Sequence, residues 1–263
     1  MDPSASYGFA AAAVALLLLL GASPAATANA GRGGGWEEAH ATFYGDETGA
    51  ETMQGACGYG NLFEQGYGLS TTALSSALFD DGWSCGACYE VQCHGCSYCK
   101  PGGAPVTVTA TNSCPANYSK PNENWCNPPL RHFDLSKPMF LRLVTDFHVG
   151  IIPVQYRRVP CAKKDGGVRF QMVGNRWWVA VLVYNVAGAG DVRAVAVKGS
   201  KDGRWTEMKR NWGQIWDGDT RLIGQGLSFR VTTSDGRALV FDDVMPPTWV
   251  AGQNFVTKQQ FVN

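Results

Sequence analysis

All nine cysteines of this chain lie between Cys57 and Cys161, and the stretch that follows, Ala162 to Asn263, has none. A cross-linked half followed by one without cross-links predicts two domains. How the sulfur is used depends on the compartment. The segment "CGACYEVQCHGCSYC" (85–99) has the Cys-x2-Cys spacing of zinc sites, with His94 as a possible extra ligand. In an oxidising compartment the same thiols pair with one another instead. The N-terminus points to the second case. Phe9 to Leu20 is an unbroken apolar run, and Ala28-Asn29-Ala30 fits a small-residue cleavage site, so residues 1–30 read as a secretory signal peptide. Its leading segment departs from the pattern in carrying Asp2 and neither Lys nor Arg. The run is also shorter than the ~20 residues of a membrane span. Disulfides of about 2–4 kcal/mol each are therefore expected, with no metal site and His94 solvated. An odd count leaves one thiol over. Asn117-Tyr118-Ser119 is an N-glycosylation sequon, which asks for a surface loop.

Charge excludes other partners. The chain carries 22 basic and 22 acidic residues, and removing residues 1–30 takes away only Asp2, leaving 22 and 21. A near-neutral protein has no electrostatic footprint for nucleic acid or an anionic membrane, and a neutral polymer suits it better.

The first half is glycine-rich with short alternating segments. "PVTVTAT" (105–111) and "VQYRRV" (154–159) have the period of half-buried strands. Only 70–82, "STTALSSALFDDG", reads as a helix, capped by Ser70 or Thr71, with Ala73, Leu74, Ala77 and Leu78 on one face and Gly82 at its end. Many short strands and one small helix predict a closed β-barrel. "CAKKDGG" (161–167) places the boundary, with 162–167 as linker. Beyond it "VRFQM", "VRAVAVKG", "LSFRV" and "ALVF", the last two around the turn Ser234-Asp235-Gly236, predict roughly seven strands of an immunoglobulin-sized sandwich.

Chemistry concentrates at "RHFDLSKPMF" (131–140), where Asp134 follows an imidazole and a phenyl ring. Glycoside hydrolysis needs two carboxyl groups, about 5–5.5 Å apart for retention and about 6.5–9.5 Å for inversion. Candidate partners are Asp46, Glu47 and Glu51 in a Gly/Thr-rich loop, and Asp146, which also suits a turn cap. In "TATNSCP" (109–115), where an acid could have faced the same groove, stands Asn112, an amide that cannot activate water. No second acid announces itself.

"ATFYGDETGAETMQGACGYGNLFEQGYG", "LSTTALSSALFDDGWSCGACYEVQC", "TATNSCP", "NWCNPP", "HFDLSKPMFLRL", "GIIPVQYRRVPC", "NVAGAGDV" and "RNWGQIW" occur in the order seen in plant α-expansins, and the chain resembles that family over essentially all of residues 31–263. The resemblance implies an all-β protein: a six-stranded double-psi β-barrel over 31–161, similar to family-45 endoglucanases, then a carbohydrate-binding immunoglobulin-like β-sandwich over 168–263. It implies a secreted, extracellular plant cell-wall protein, not an enzyme, that needs no cofactor. Such a protein loosens walls at acidic pH by disrupting non-covalent contacts between cellulose and matrix glucans such as xyloglucan. It would act as a monomer, with no nucleic acid partner and any peripheral membrane association confined to transit.

Carried over by motif, Thr42 and Tyr44 line the glucan groove with Asp134, Thr42 holding Asp134 by a hydrogen bond. Asn112 stands where some relatives have aspartate, and His132 packs or hydrogen-bonds beside the groove. The implied disulfides are Cys57–Cys85, Cys88–Cys161, Cys93–Cys99 and Cys114–Cys126, so Cys96 is a departure from the family pattern. The loop "GDETGAET" is likewise more acidic than usual. Trp177, Trp178 and Trp212 match a flat cellulose-binding row, although neighbours on one strand face opposite sides unless the strand bulges or begins between them. Trp216 is the reserve candidate, and Trp205 reads as core. A glucose ring covering roughly 60–80 Å² of tryptophan contributes about 1.5–2 kcal/mol.

Overall fold

The computed structural model describes residues 35–262 except 53, 163 and 176. The segment read as a signal peptide lies outside the described residues. Six strands close into a barrel: β1 (Glu37–Tyr44), β2 (Thr71–Ser75), β3 (Cys88–Cys93), β4 (Val106–Cys114), β5 (His132–Ser136) and β6 (Ile152–Val159), in spatial order β1-β5-β2-β4-β3-β6. The pairs β1–β5 and β2–β4 are parallel and the others antiparallel. Side chains alternate as the pleat requires. Ala39, Ala41, Phe133, Leu135, Val106, Val108 and Val154 fill the barrel interior.

The predicted helix over 70–82 is mostly strand. Residues 71–75 are buried throughout and pair on both sides, with β4 and β5. Only Ser76–Phe79 (α1) is helical, and left-handed backbone at Asp80 and Asp81 (φ 51° and 48°) prevents it from continuing. Insertion between two strands outweighs a helical pattern that short. A second helix, α2 (Lys137–Leu143), starts with Pro138 in its first turn and buries Met139, Phe140 and Leu143.

The sandwich has two sheets. One contains β9 (Val192–Gly199), β10 (Trp205–Glu207), β13 (Leu227–Thr233) and β14 (Ala238–Met245), ordered β10-β9-β13-β14. The other contains β7 (Arg169–Met172), β8 (Val179–Tyr184), β11 (Lys209–Trp212), β12 (Ile215–Gly218) and β15 (Asn254–Val256), ordered β11-β12-β8-β7-β15. Strand β8 is buried on both faces. Val179, Val181 and Val183 enter the sandwich core, whereas Leu182 and Tyr184 join the barrel's apolar cluster. The five-stranded sheet therefore packs on the barrel with its outer face.

This seam is tight. A β-carbon on Gly86 would lie 2.5 Å from the Gly190 carbonyl oxygen, and one on Gly190 would lie 2.3 Å from that of Gly86. Beside it the buried Asp191 carboxylate accepts from Arg158 and from Ser234 Oγ (2.7 Å) and pairs with Arg193 at 3.5 Å. Gln214 of the sandwich donates to the Cys85 carbonyl at 3.0 Å. Four disulfides, Cys57–Cys85, Cys88–Cys161, Cys93–Cys99 and Cys114–Cys126, staple the barrel half, and Cys96 is free.

Candidate functional site

The parallel register of β1 and β5 sets His40 opposite His132, Thr42 opposite Asp134 and Tyr44 opposite Ser136. Because Ala39, Ala41, Phe133 and Leu135 point into the barrel, alternation puts His40, Thr42, Tyr44, His132 and Asp134 together on its outer face. Thr42 Oγ1 donates to Asp134 Oδ1 at 2.7 Å and lies 2.8 Å from His132 Nε2. A hydroxyl has one proton. Since Thr42 gives it to Asp134, His132 must supply the proton of the other bond, as the neutral tautomer protonated on Nε2. Burial, with His40 adding to it, pushes the His132 pKa down to about 4, which keeps the ring neutral above that pH. His132 thus both packs, being almost fully buried, and hydrogen-bonds.

Burial raises the pKa of Asp134, and the Thr42 hydrogen bond opposes that shift. Among the described residues, no second carboxylate is one of the groups acting on it. The four acids named from the sequence are engaged elsewhere or exposed. Thr48 donates to Asp46 at 2.7 Å, Glu47 pairs with Lys137 at 3.4 Å, and Glu51 is exposed. Asp146 caps a short 3-10 turn, accepting from the His148 backbone at 3.0 Å and lying 2.7 Å from its ring.

Burial also raises the Tyr44 ionisation, with Asn112, Asp134, Thr71 and Thr111 bearing on the phenol. Tyr44 therefore stands between the acid and the amide. The Asn112 carbonyl oxygen is occupied by backbone donors, Ala56 N at 2.8 Å and Ser113 N at 2.9 Å, so it fixes the chain around the site. Sequence reasoning missed Thr71 and Thr111. Thr72 pairs with Ala110 and Ala73 with Asn112, which makes Thr111 the extra residue of a bulge beside the site. No local sequence pattern signals a bulge of this kind.

The tryptophans resolve differently from their sequence assignment. Trp177 is 75% exposed, Trp212 47% and Trp178 39%. The strand objection does not apply, because β8 begins at Val179 and the preceding turn is closed by Asn175 N to Trp178 O (2.7 Å) and Trp178 N to Asn175 O (3.2 Å). Trp212 pairs with Ile215 and Ile215 with Leu182, and Ile215 and Leu182 pack on the barrel. Cross-strand partners share a face, so Trp212 lies on the barrel side of the sheet, and Trp178 continues the Leu182 row. The Trp212 ring is 6.1 Å from that of Phe79 in α1. Trp216, the reserve candidate, is buried in the sandwich core because it occupies the opposite face of β12 from Ile215. Trp205 is not core. It is half-buried on β10, with Lys198 and Arg230 over its ring at 4.8 and 5.5 Å, since only three residues of that edge strand pair. The sequon residue Asn117 is exposed.

A family model described as the expansin C-terminal domain matches residues 168–246, and one described as lytic transglycolase matches 71–156. Expansin-A22 of Arabidopsis thaliana is 59% identical over 221 residues, covering 84% of this chain and 77% of that one. Expansin-A25 of the same plant is 53% identical over 259 residues, covering 98% and 92%. Expansin-A13 of Oryza sativa subsp. japonica is 50% identical over 248 residues, covering 90% and 94%. The fold is similar to that of a Clavibacter michiganensis expansin, with TM-score 0.64, 22% identity and coverage of 87% and 98%; a mutant of that protein has been solved in complex with cellohexaose.

Proposed function

From the premise that this chain belongs to the expansin family, as an α-expansin, we propose that it loosens plant cell walls by prising glucan chains apart without cutting them. The observation that carries this reading is the buried Asp134, raised by burial, held by Thr42, and with no carboxylate partner acting on it. A protonated carboxyl both donates and accepts hydrogen bonds, whereas a carboxylate only accepts. The Thr42 hydrogen is directed at Oδ1, so the acidic proton belongs on Oδ2, free to donate to a sugar oxygen. That bond competes with a glucan–glucan contact. Activity then rises as pH falls through the pKa of Asp134, and burial brings that point to less acidic pH than an exposed aspartate would allow.

In this reading residues 31–161 form the barrel domain, 162–167 the linker and 168–263 the sandwich. Tyr44, Asn112 and His132 shape the groove. Trp177, Trp178 and Trp212 hold cellulose while the groove engages a matrix glucan such as xyloglucan. The protein works as a monomer in the extracellular wall after removal of residues 1–30 and carries a glycan on Asn117.

The test is wall extension against pH with simultaneous measurement of released reducing sugar. Asp134→Asn keeps a donor at every pH, so creep should persist and lose its dependence on acid, while Asp134→Ala abolishes it. An unchanged pH profile in the amide variant refutes the titration step. Sugar release that disappears with Asp134→Ala refutes the non-lytic reading.

A further inference from the structure

One chemical cluster is left unused by the groove and the tryptophan row. Cys93 ends β3 and is bonded to Cys99, and Cys96 stands midway between them as a free thiol. The three sulfurs all lie within 4.8 Å of one another. Either alternative pairing is a Cys-x2-Cys bridge. The loop is already arranged for one of them, because Cys99 N donates to Cys96 O at 3.2 Å, closing a turn whose ends are these two cysteines. Gly95, at φ 72° with nothing within 4 Å of where a β-carbon would sit, lets the segment pivot. Cys99 is fixed from the other side by a ladder contact with Val144, and its neighbour Lys100 donates from N to Leu143 O at 2.9 Å.

We infer that Cys93, Cys96 and Cys99 form a thiol–disulfide exchange site, in which one disulfide is shared among three sulfurs and the remaining thiol takes low-molecular-weight disulfides as substrates. In the internal step the Cys96 thiol loses its proton to solvent and the thiolate attacks Cys99 Sγ. The Cys96–Cys99 bond forms as the Cys93–Cys99 bond breaks, and Cys93 departs as a thiolate and is protonated. One disulfide and one thiol exist before and after, so no oxidant is consumed. The turn at 96–99 favours this isomer over Cys93–Cys96. In the external step the retained thiolate attacks one sulfur of R–S–S–R, a mixed disulfide forms, and R–S⁻ leaves and is protonated by solvent. The structural consequence lies in β3. The Cys93–Cys99 bond ties its end to the segment beside Val144, and the exchanged isomer releases that end.

The experiment uses the intact chain, independently of any wall activity. The protein is held at about pH 8, near the ordinary thiol pKa, then quenched in acid, alkylated and mapped by fragment-level mass spectrometry. The expected result is label lost from Cys96 and gained at Cys93, matched by Cys96–Cys99 linked fragments. Cys96→Ser and Cys96→Ala should show only Cys93–Cys99 and no label. Glutathione disulfide should give an adduct at Cys93 as well as Cys96 in the parent and none in either variant. Label confined to Cys96 after prolonged incubation, with Cys93–Cys99 as the sole linkage among the three, overturns the sharing. Absence of any glutathione adduct on a thiol that alkylates freely overturns the substrate assignment.

Discussion

Truncating each platform tryptophan should weaken adsorption to cellulose in the order Trp177, Trp212, Trp178, which is the order of their exposure. A tryptophan has up to about 250 Å² to bury, and a flat polymer covers one face, roughly half of what is accessible. With Trp177 75% exposed, that leaves about 90 Å², or about 2.3 kcal/mol at ~25 cal/mol/Å². Trp212, at 47%, offers about 60 Å² and about 1.5 kcal/mol; Trp178, at 39%, about 50 Å² and about 1.2 kcal/mol. Converted to affinity, the losses are about 50-fold, about 12-fold and about 8-fold. Depletion isotherms on microcrystalline cellulose measure them directly. Varying the salt should leave the constants unchanged, because a neutral surface offers nothing to screen. Melting curves separate binding from folding, which matters most for Trp212 because its ring also packs near Phe79. A Trp177→Ala loss smaller than that of Trp178→Ala, or losses all below about threefold, would show that exposed area on this sheet does not govern adsorption.

Three further outcomes follow from the groove and the seam. Thr42→Val removes the hydrogen bond that opposes the upward shift of Asp134, so the acid limb of wall creep should move toward neutral pH; a move to lower pH contradicts the assignment. Because the folded-state pKa of Asp134 is raised, its contribution to stability is complete below the unfolded pKa and is lost as pH rises through the folded one. Asp134→Asn should therefore melt higher than the parent at neutral pH and equally in acid, and equal melting at both refutes the burial argument. Asp191→Ala leaves Arg158 without its carboxylate in the seam, at a cost of about 3 kcal/mol after allowing for the partial exposure of the guanidinium. Denaturant unfolding should detect this, and a cost below about 0.5 kcal/mol would place the pair among inert surface contacts.

The strand periods at 105–111, 154–159 and 168–172 were legible because alternation alone places Val106, Val108, Phe170 and Met172 inside. Residues 71–75 were not, since apolar spacing over five residues fits a helix face as well as a strand buried on both sides; only pairing with β4 and β5 decides it. Thr42 and Asp134 could be joined from motif resemblance, but their register across two parallel strands is a tertiary fact. Trp216 and Trp205 show the same limit. Each lies in a short strand of three or four residues, where parity gives two faces and says nothing about which is covered.

The seam gives the two weak contacts a common frame. A tryptophan row worth a few kcal/mol and a groove that competes for single hydrogen bonds would each slide on a polymer if joined by a slack linker. Held rigidly, the second contact forms at an effective concentration set by geometry rather than diffusion. The joint here has little slack. Leu182 and Ile215 of the platform sheet pack into the barrel's own apolar cluster, Gly86 and Gly190 meet where no side chain fits, and Asp191 is clasped by guanidinium groups on either side. A displacement of the chain gripped at Asp134 is thus transmitted to the surface held by Trp212. Gly190→Ala, whose β-carbon would meet the Gly86 carbonyl oxygen at 2.3 Å, must open this joint. It should leave cellulose adsorption within about twofold while reducing wall creep severalfold. Creep that survives with the seam opened would mean that the two contacts act independently.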